Sequence, residues 1–385
     1  LERSLAGRLP RELPTALLEE PCGKALFGIL VEGLADRFEP ALCDAYVRLF
    51  SIAIAHVYPA IDPISLVARY EHIRRPMPVH AKPQRVFVLS RITLGADVAV
   101  TSVLLAAAKR RFPHAEILFI APQKNYELFA ADPRIRHVPI AYRRGGLADR
   151  LSAWDELKAA IAGDDYVVLD PDSRLTQLGL LQICPDERYH FFESRAYGFD
   201  TGQSLSELAS QWVSECLGVN GAKPFVALGP AARRGCHIAV SLGVGENPAK
   251  RLPDPFEEEL LKVLASLGHP ICIDLGAGGE EAERVRRALE RSGVSATLWS
   301  GAFSGFASIV ATSRLYVGYD SAGQHVAAAA GVPLISIFTG FPVPRMFDRW
   351  RPTGPNATVI RMDEPDAAAA LAQVGNAIRP ADEHK

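Results

Sequence analysis

The chain has little that would point to metal, redox or nucleic-acid chemistry. Its six cysteines lie at 22, 43, 184, 216, 236 and 272. No two have CxxC spacing, so neither a zinc site nor a dithiol redox motif is indicated. No His/Cys group has metal-ligand spacing, and there is no GxSxG nucleophile elbow. No apolar run approaches the roughly 18 residues of a membrane span. Neither sign of charge is in excess. Lys plus Arg total 42 and Asp plus Glu total 44, a formal charge of -2, which gives no global attraction to nucleic acid or to an anionic membrane. Arg3, Arg8, Arg11 and Glu12 interrupt the start, unlike a secretory leader. Scattered thiols of this kind fit buried side chains in a reducing compartment. The expectation is a cytoplasmic protein, with peripheral membrane association through an exposed surface left open.

What is present is ordinary globular material. The 385 residues are 48% hydrophobic and 22% charged, enough for two domains or three small ones, each with its own core. Residues 1–80 read as helical. Leu26, Ile29, Leu30, Leu34 and Phe38 repeat at helical spacing, as do Leu42, Tyr46, Leu49, Phe50, Ile54 and Val57. This stretch reads as a packing or homo-oligomerisation element, with acceptor binding as the other reading. A Pro- and Arg-rich linker follows at His72–Lys82.

At residue 84 the pattern changes. Short apolar runs at Gln84–Ser90, Glu116–Ala121, Val138–Ala141 and Tyr166–Asp170 read as buried strands. Between and after them, Thr101–Phe112, Tyr126–Ala131, Leu151–Ala162 and Ser204–Leu217 read as helices. Strands alternating with helices imply a parallel sheet with right-handed crossovers. The pattern then restarts. Strands are expected at His237–Leu242, Pro270–Leu275, Thr297–Trp299, Leu315–Gly318 and Pro333–Phe338. Helices are expected at Asp254–Leu267 (capped by Asp254), Glu280–Ser292, Phe303–Thr312, Gln324–Ala330 and Asp366–Ile378. The fold class is α/β, with two doubly wound Rossmann-like units and an N-terminal helical extension. The boundaries fall at 1–83, 84–235 and 236–385. Ligands of such sheets bind beyond the carboxyl ends of the strands, so the expected site is the cleft between the units.

Three strand-to-helix turns could carry chemistry. In Tyr316–Pro333 (YVGYDSAGQHVAAAAGVP) a strand runs into Asp320, Ser321, Ala322 and Gly323, and then into an alanine-rich helix beginning near Gln324 and His325. The free N–H groups and positive dipole of that helix end suit a diphosphate. A plain capped turn would look the same. In Arg91–Asp97 (RITLGAD), Thr93 and Gly95 form a turn ending on Asp97. This acid is either a general base for a sugar hydroxyl or a helix cap. In Gly243–Arg251 (GVGENPAKR), Lys250 and Arg251 could neutralise a leaving diphosphate or form a solvated basic loop. Three features carry less. Gly276, Gly278 and Gly279 lack the GxGxxG spacing. Asp170-Pro171-Asp172 reads as a turn rather than a metal-binding pair. His325 alone could equally be a core histidine.

Taken together, these segments resemble glycosyltransferase family 9, the ADP-heptose:lipopolysaccharide heptosyltransferases. The matching stretches are RITLGADVAVTSVLLAAAKRRFPHAEILFIA, YVVLDPDSRLTQLG, AKRLPDPFEEELLKVLASLGHPICIDLGAGGEE, LYVGYDSAGQHVAAAAGVPLISIFTG and RWRPTGPNATVI. They occur in the family's order over about residues 84–375; residues 1–80 lie outside the resemblance. The resemblance implies a GT-B fold and inverting, metal-independent transfer of a heptose-like sugar from ADP-heptose or a related donor. The acceptor would be a glycan, a lipopolysaccharide core or a protein, met in the cytoplasm or at the inner membrane surface. It implies no cofactor. Asp97 falls on the family's general base, Arg91 on its Arg, and Lys250 on a phosphate-binding lysine. Asp320, Ser321 and His325 fall on the Asp, Thr and His of an Asp-Thr-Gly-Pro-Met-His run. The sequence departs from the pattern where Ala96 directly precedes Asp97 and where Ala322-Gly323 replace Gly-Pro. A nucleotide-sugar epimerase or hydrolase of the same fold, and a non-catalytic nucleotide-sugar or glycan-binding scaffold, remain alternatives.

Overall fold

The structure is a computed structural model. It describes residues 10, 12–230, 235–245, 247–276 and 278–378. The described chain divides into two compact units. One holds the described residues up to Tyr126 together with Asp132–Lys223, and the other holds Glu127–Ala131 and the described residues from Pro224 onward.

The first unit is built on five parallel strands in the order β3-β2-β1-β4-β5. These are β1 (Arg85–Leu89), β2 (Glu116–Ala121), β3 (Ile135–Pro139), β4 (Tyr166–Asp170) and β5 (Tyr189–Phe191). The apolar runs read from sequence form β1, β2 and β4 almost residue for residue, because strands covered on both faces are continuous hydrophobic runs. The three residues of β5 were not anticipated, since so short a run has no legible period. The helix expected at Tyr126–Ala131 is instead a single turn at Gln123–Tyr126. The helix Leu205–Leu217 starts on a capping box in which the Ser204 side chain accepts from the Glu207 N–H, and it stops at Gly218 in the left-handed region.

The N-terminal helices are part of this unit rather than an appendage. Pro40–Val57 and Pro63–Ile73 each begin with proline in the first turn, and Asp62 caps the second by accepting from the Ile64 and Ser65 N–H groups. Leu26, Leu30, Leu49, Phe50 and Ile54 share one apolar core with Phe87, Leu89, Ile120 and Val168 of the sheet. The extension therefore covers one face of the sheet, which corrects the separate 1–83 segment. Pro40–Val57 also corrects the expectation about apolar runs. With 18 residues and a mean hydropathy of 1.3, it is long and apolar enough to cross a membrane, yet 56% of it is buried inside the protein.

The second unit carries six parallel strands in the order β11-β10-β9-β6-β7-β8. They are β6 (Ile238–Ser241), β7 (Ile271–Asp274), β8 (Thr297–Trp299), β9 (Leu315–Tyr319), β10 (Leu334–Phe338) and β11 (Ala357–Arg361). The helix Pro344–Trp350 and β11 were not anticipated. Asp254 does not cap the helix Phe256–Ala265; its carboxylate binds Arg284 at 2.8 Å instead. The boundary lies at 223/224 rather than 235/236. Residues after it pair with the turn at 127–131, where the Ala227 N–H donates to Leu128 O at 2.9 Å and the Ala131 N–H to Ala227 O at 3.0 Å. The strand order reverses between β1 and β4 in one sheet and between β6 and β9 in the other, so the loops after these strands part and leave room for a ligand.

Because the extension and the first sheet share a core, Phe50→Ala should destabilise both. Phe50 is fully buried against Phe27 and Tyr46. Its truncation should cost about 3–5 kcal/mol and speed amide hydrogen exchange in β1 and β2 together with Pro40–Val57. Faster exchange confined to the helix would mean that the extension is energetically separate.

Candidate active-site turns

In the second unit, the loops after β6 and β9 meet at the point where strand order reverses. The loop after β6 ends in a short turn, Pro248–Lys250, opened by Asn247, whose side chain accepts from the Ala249 N–H. Gly340, beyond β10, packs onto that turn. Its φ is +67°, and a Cβ there would lie 2.2 Å from Ala249 O, so only glycine allows the two loops to close up. The turn aims Lys250 at the end of β9, where Nζ donates to Asp320 Oδ2 at 2.5 Å. Gln324 Nε2 donates to the other oxygen of Asp320 at 2.5 Å.

Ser321 sits at the start of the helix Ala322–Ala330, its side chain making no capping bond to the helix N–H groups. Its hydroxyl is 3.3 Å from that of Tyr316. Gly323 lets the helix lie against Tyr316, because a Cβ there would be 2.4 Å from the tyrosine hydroxyl. His325 is buried, and burial pulls its imidazole down to about 4 despite the nearby Asp320 carboxylate, so the ring is neutral at pH 7. Trp350 stands edge-on to it at 6.0 Å. Lys250, Asp320, Ser321, Ala322, Gly323 and His325 are thus assembled around one helix end.

Arg251 is not part of this group. Its Nε lies 3.5 Å from the buried Glu257 carboxylate, which Arg284 also binds. Arg251 thus faces the buried Glu257 beneath the loop rather than Asp320. The sequence reading missed Gln324 and Glu281. One oxygen of Glu281 accepts from the Val244 and Gly245 N–H groups at 3.1 Å each, which anchors the loop that carries Lys250.

In the first unit the turn after β1 is built around Asp97. Its Oδ1 accepts from the Arg91 N–H at 2.7 Å and Thr101 Oγ1 at 2.6 Å. Its Oδ2 accepts from Ser90 Oγ and Asn125 Nδ2, each at 2.6 Å. The residue is 0% exposed. Burial raises the carboxyl above its ordinary value, and those four hydrogen bonds hold the rise back. A general base must reach its proton; this carboxylate has no exposed oxygen and both of its oxygens are engaged. In this conformation Asp97 holds the turn. The turn is tight enough to place Ile92 at φ +72°, a costly conformation for a β-branched residue. Thr93 is exposed at its tip and Gly95 is buried behind it.

Arg91 also points inward. Its Nη1 donates to Pro171 O at 2.6 Å and Ser194 Oγ at 2.7 Å, and burial pulls the guanidinium down to about 10. Asp170 and Asp172 form a turn, as expected. Asp170 accepts from the Ser173 N–H, Thr176 Oγ1 and the Tyr189 hydroxyl, while Asp172 binds Arg195. No group of three or more His, Cys, Asp or Glu suited to a metal occurs among the described residues.

Residues 186–374 match the sequence model of glycosyltransferase family 9 (heptosyltransferase). The chain carries a family 9 glycosyltransferase region. Its chemistry is accordingly glycosyl transfer. Solved structures share the fold. Escherichia coli heptosyltransferase WaaC with ADP-2-deoxy-2-fluoro heptose superposes with TM-score 0.54 at 19% identity, over 78% of this chain and 99% of that one. The family 9 glycosyltransferase of Veillonella parvula DSM 2008 gives TM-score 0.56 at 15% identity, over 78% and 91%. Escherichia coli ADP-heptose LPS heptosyltransferase II gives 0.52 at 18%, over 77% and 99%. A comparison with curated proteins returns no match. Two parallel α/β units of the GT-B class are what these structures and this glycosyltransferase have in common.

Burial pushes the Asp170 carboxyl up to about 6, against the hydrogen bonds from Thr176, Tyr189 and the Ser173 N–H. An unfolded aspartate titrates near pH 4, so between about pH 4 and 6 the folded chain keeps a proton that the unfolded chain has released. That part of the stability falls as pH rises through the window. Asp170→Asn should flatten this part of a stability–pH curve, measured by urea unfolding. An unchanged slope would mean that Asp170 is ionised in the fold.

Proposed function

We propose that this glycosyltransferase moves a heptose-like sugar from a nucleoside diphosphate donor, ADP-heptose or a close relative, to an acceptor hydroxyl, with inversion and without a metal or other cofactor. The acceptor is a glycan, a lipopolysaccharide core or a protein. One observation supports the donor half most directly: Lys250 is aimed at Asp320 beside the start of the Ala322–Ala330 helix. As the bond from the anomeric carbon to the diphosphate breaks, negative charge builds on the leaving oxygens. A fixed ammonium group, the Ser321 hydroxyl and the helix N–H groups stabilise that charge without reorganising. The acceptor oxygen forms the new bond from the opposite face and gives up its proton to a base. We assign that base to Asp97, which in this conformation is sealed beneath its turn and holds the Ser90 hydroxyl and the Arg91 N–H, so its turn must open for the transfer.

The test is a thermal-shift panel with ADP, GDP, UDP, NAD and ADP-heptose in EDTA. A ligand at about 100 times its Kd adds about 2.7 kcal/mol. ADP and ADP-heptose should both stabilise the protein without metal. Stabilisation by UDP or GDP alone would change the donor, and no shift with any nucleotide would overturn the proposal. Lys250→Ala should weaken ADP binding about tenfold or more, the worth of one charge-assisted hydrogen bond. Asp97→Asn should lower Tm and turnover while leaving ADP affinity intact. A variant that keeps its turnover would remove Asp97 from the role of base.

A further inference from the structure

The Lys250–Asp320 pair, a half-buried lysine on a buried aspartate, is the outer end of a longer polar chain that runs into the core of the second unit. Ser336 lies in the middle of β10, fully buried between Ile335 and Ile337. Its hydroxyl donates to Gln324 Oε1. Gln324 is also fully buried, in the first turn of the helix Ala322–Ala330. With its oxygen taken by Ser336, its amide nitrogen must face Asp320 Oδ1, to which it donates at 2.5 Å. The same nitrogen lies 3.3 Å from His325 Nε2. A serine and a glutamine in an apolar sheet–helix interface add nothing to packing that Ala and Met would not supply. Burying them is tolerable only because each is hydrogen-bonded.

We infer that Gln324, oriented by Ser336, is a positioning residue for the diphosphate site. It holds Asp320 Oδ1 so that Oδ2 alone faces Lys250, and it keeps this carboxylate from turning onto the helix N–H groups. Asp320 precedes the helix by two residues, and aspartates next to a helix start readily accept from its free N–H groups. Released from Gln324, Asp320 would compete with an incoming diphosphate for those groups and carry Lys250 with it. The chain thus keeps an anion site clear of the protein's own anion. This inference rests on the donor-site reading above.

Inorganic pyrophosphate and ADP, titrated calorimetrically in EDTA into the full-length protein, are the probes. Methionine matches glutamine in length and suits a buried helix position, so Gln324→Met should fold. It should weaken pyrophosphate and ADP by a similar factor of about ten, the worth of a hydrogen bond to a charged group. Gln324→Glu adds a readout that a purely structural residue would not move. Position 324 contacts Asp320 and His325; the nearby titratable groups are Lys250, on the other oxygen of Asp320, and Tyr316 of β9, against Gly323. Beside the Asp320 carboxylate, a glutamic acid at 324 donates a proton to it at low pH and repels it once ionised. Pyrophosphate affinity of Gln324→Glu should therefore fall as pH rises from 5 to 8, more steeply than in the wild type. Ser336→Ala, which leaves the amide unoriented, should weaken binding in the same direction and add nothing to Gln324→Met. Wild-type affinity and an unaltered pH profile in these variants would overturn the inference while leaving the donor site standing. Absence of ADP and pyrophosphate binding by the wild type would instead overturn the donor-site reading itself.

Discussion

The ion pair between Lys250 and Asp320 organises the carboxyl end of the second unit's sheet. It joins the loop after β6 to the loop after β9, the two strands between which the sheet order reverses. A parallel sheet leaves these loops diverging, and the pair draws them together over a helix end whose backbone N–H groups have no side-chain cap. Much of the surrounding architecture serves that meeting. Gly340 lets one loop lie on the other, Glu281 anchors the first loop by its backbone, and Gly323 lets the helix lie against Tyr316. In the proposed reaction the cation and the row of N–H groups balance the charge of the leaving diphosphate.

The first unit has the same topology and uses its reversal point differently. The turns after β1 and β4 are sealed around Asp97 and Asp170, each carboxylate taking hydrogen bonds from its own turn. Buried arginines complete the arrangement, Arg91 reaching Pro171 and Ser194, and Arg195 joining Asp172 to Asp36 of the N-terminal region. The extension therefore contributes both a covering layer for the sheet and charged partners for its carboxyl-end turns. These turns are densely hydrogen-bonded, and the strained Ile92 backbone shows how closely the surroundings determine them.

Much of this was legible in the sequence. Buried parallel strands are apolar runs, so β1, β2, β4 and β10 stood out, and the glycine and proline punctuation placed most of the helices. The Lys250, Asp320 and Ser321 group was legible because Asp320 and Ser321 follow a recognisable strand directly and Lys250 lies in the loop after another. Other features were not. β5 is three residues long, and β11 alternates weakly. Asp97 has the right spacing for a base, but spacing carries no information on exposure; Ser90, Thr101 and Asn125, which seal it, come from three separate segments. Arg251 and Lys250 are adjacent and equally basic, and only the buried Glu257 separates their roles. Gln324 and Ser336 lie twelve residues apart in an alanine-rich helix and an apolar strand, where a lone polar residue looks incidental until its partner is seen.

The account rests on a diphosphate seated at the start of the Ala322–Ala330 helix. The most direct measurement is a crystal structure of the protein with ADP bound in the presence of EDTA. The account predicts the diphosphate within hydrogen-bond reach of the Ala322 and Gly323 N–H groups and the Ser321 hydroxyl, with Lys250 Nζ on the outer phosphate. A diphosphate held elsewhere on the chain, or one that appears only when a divalent metal is added, would contradict it.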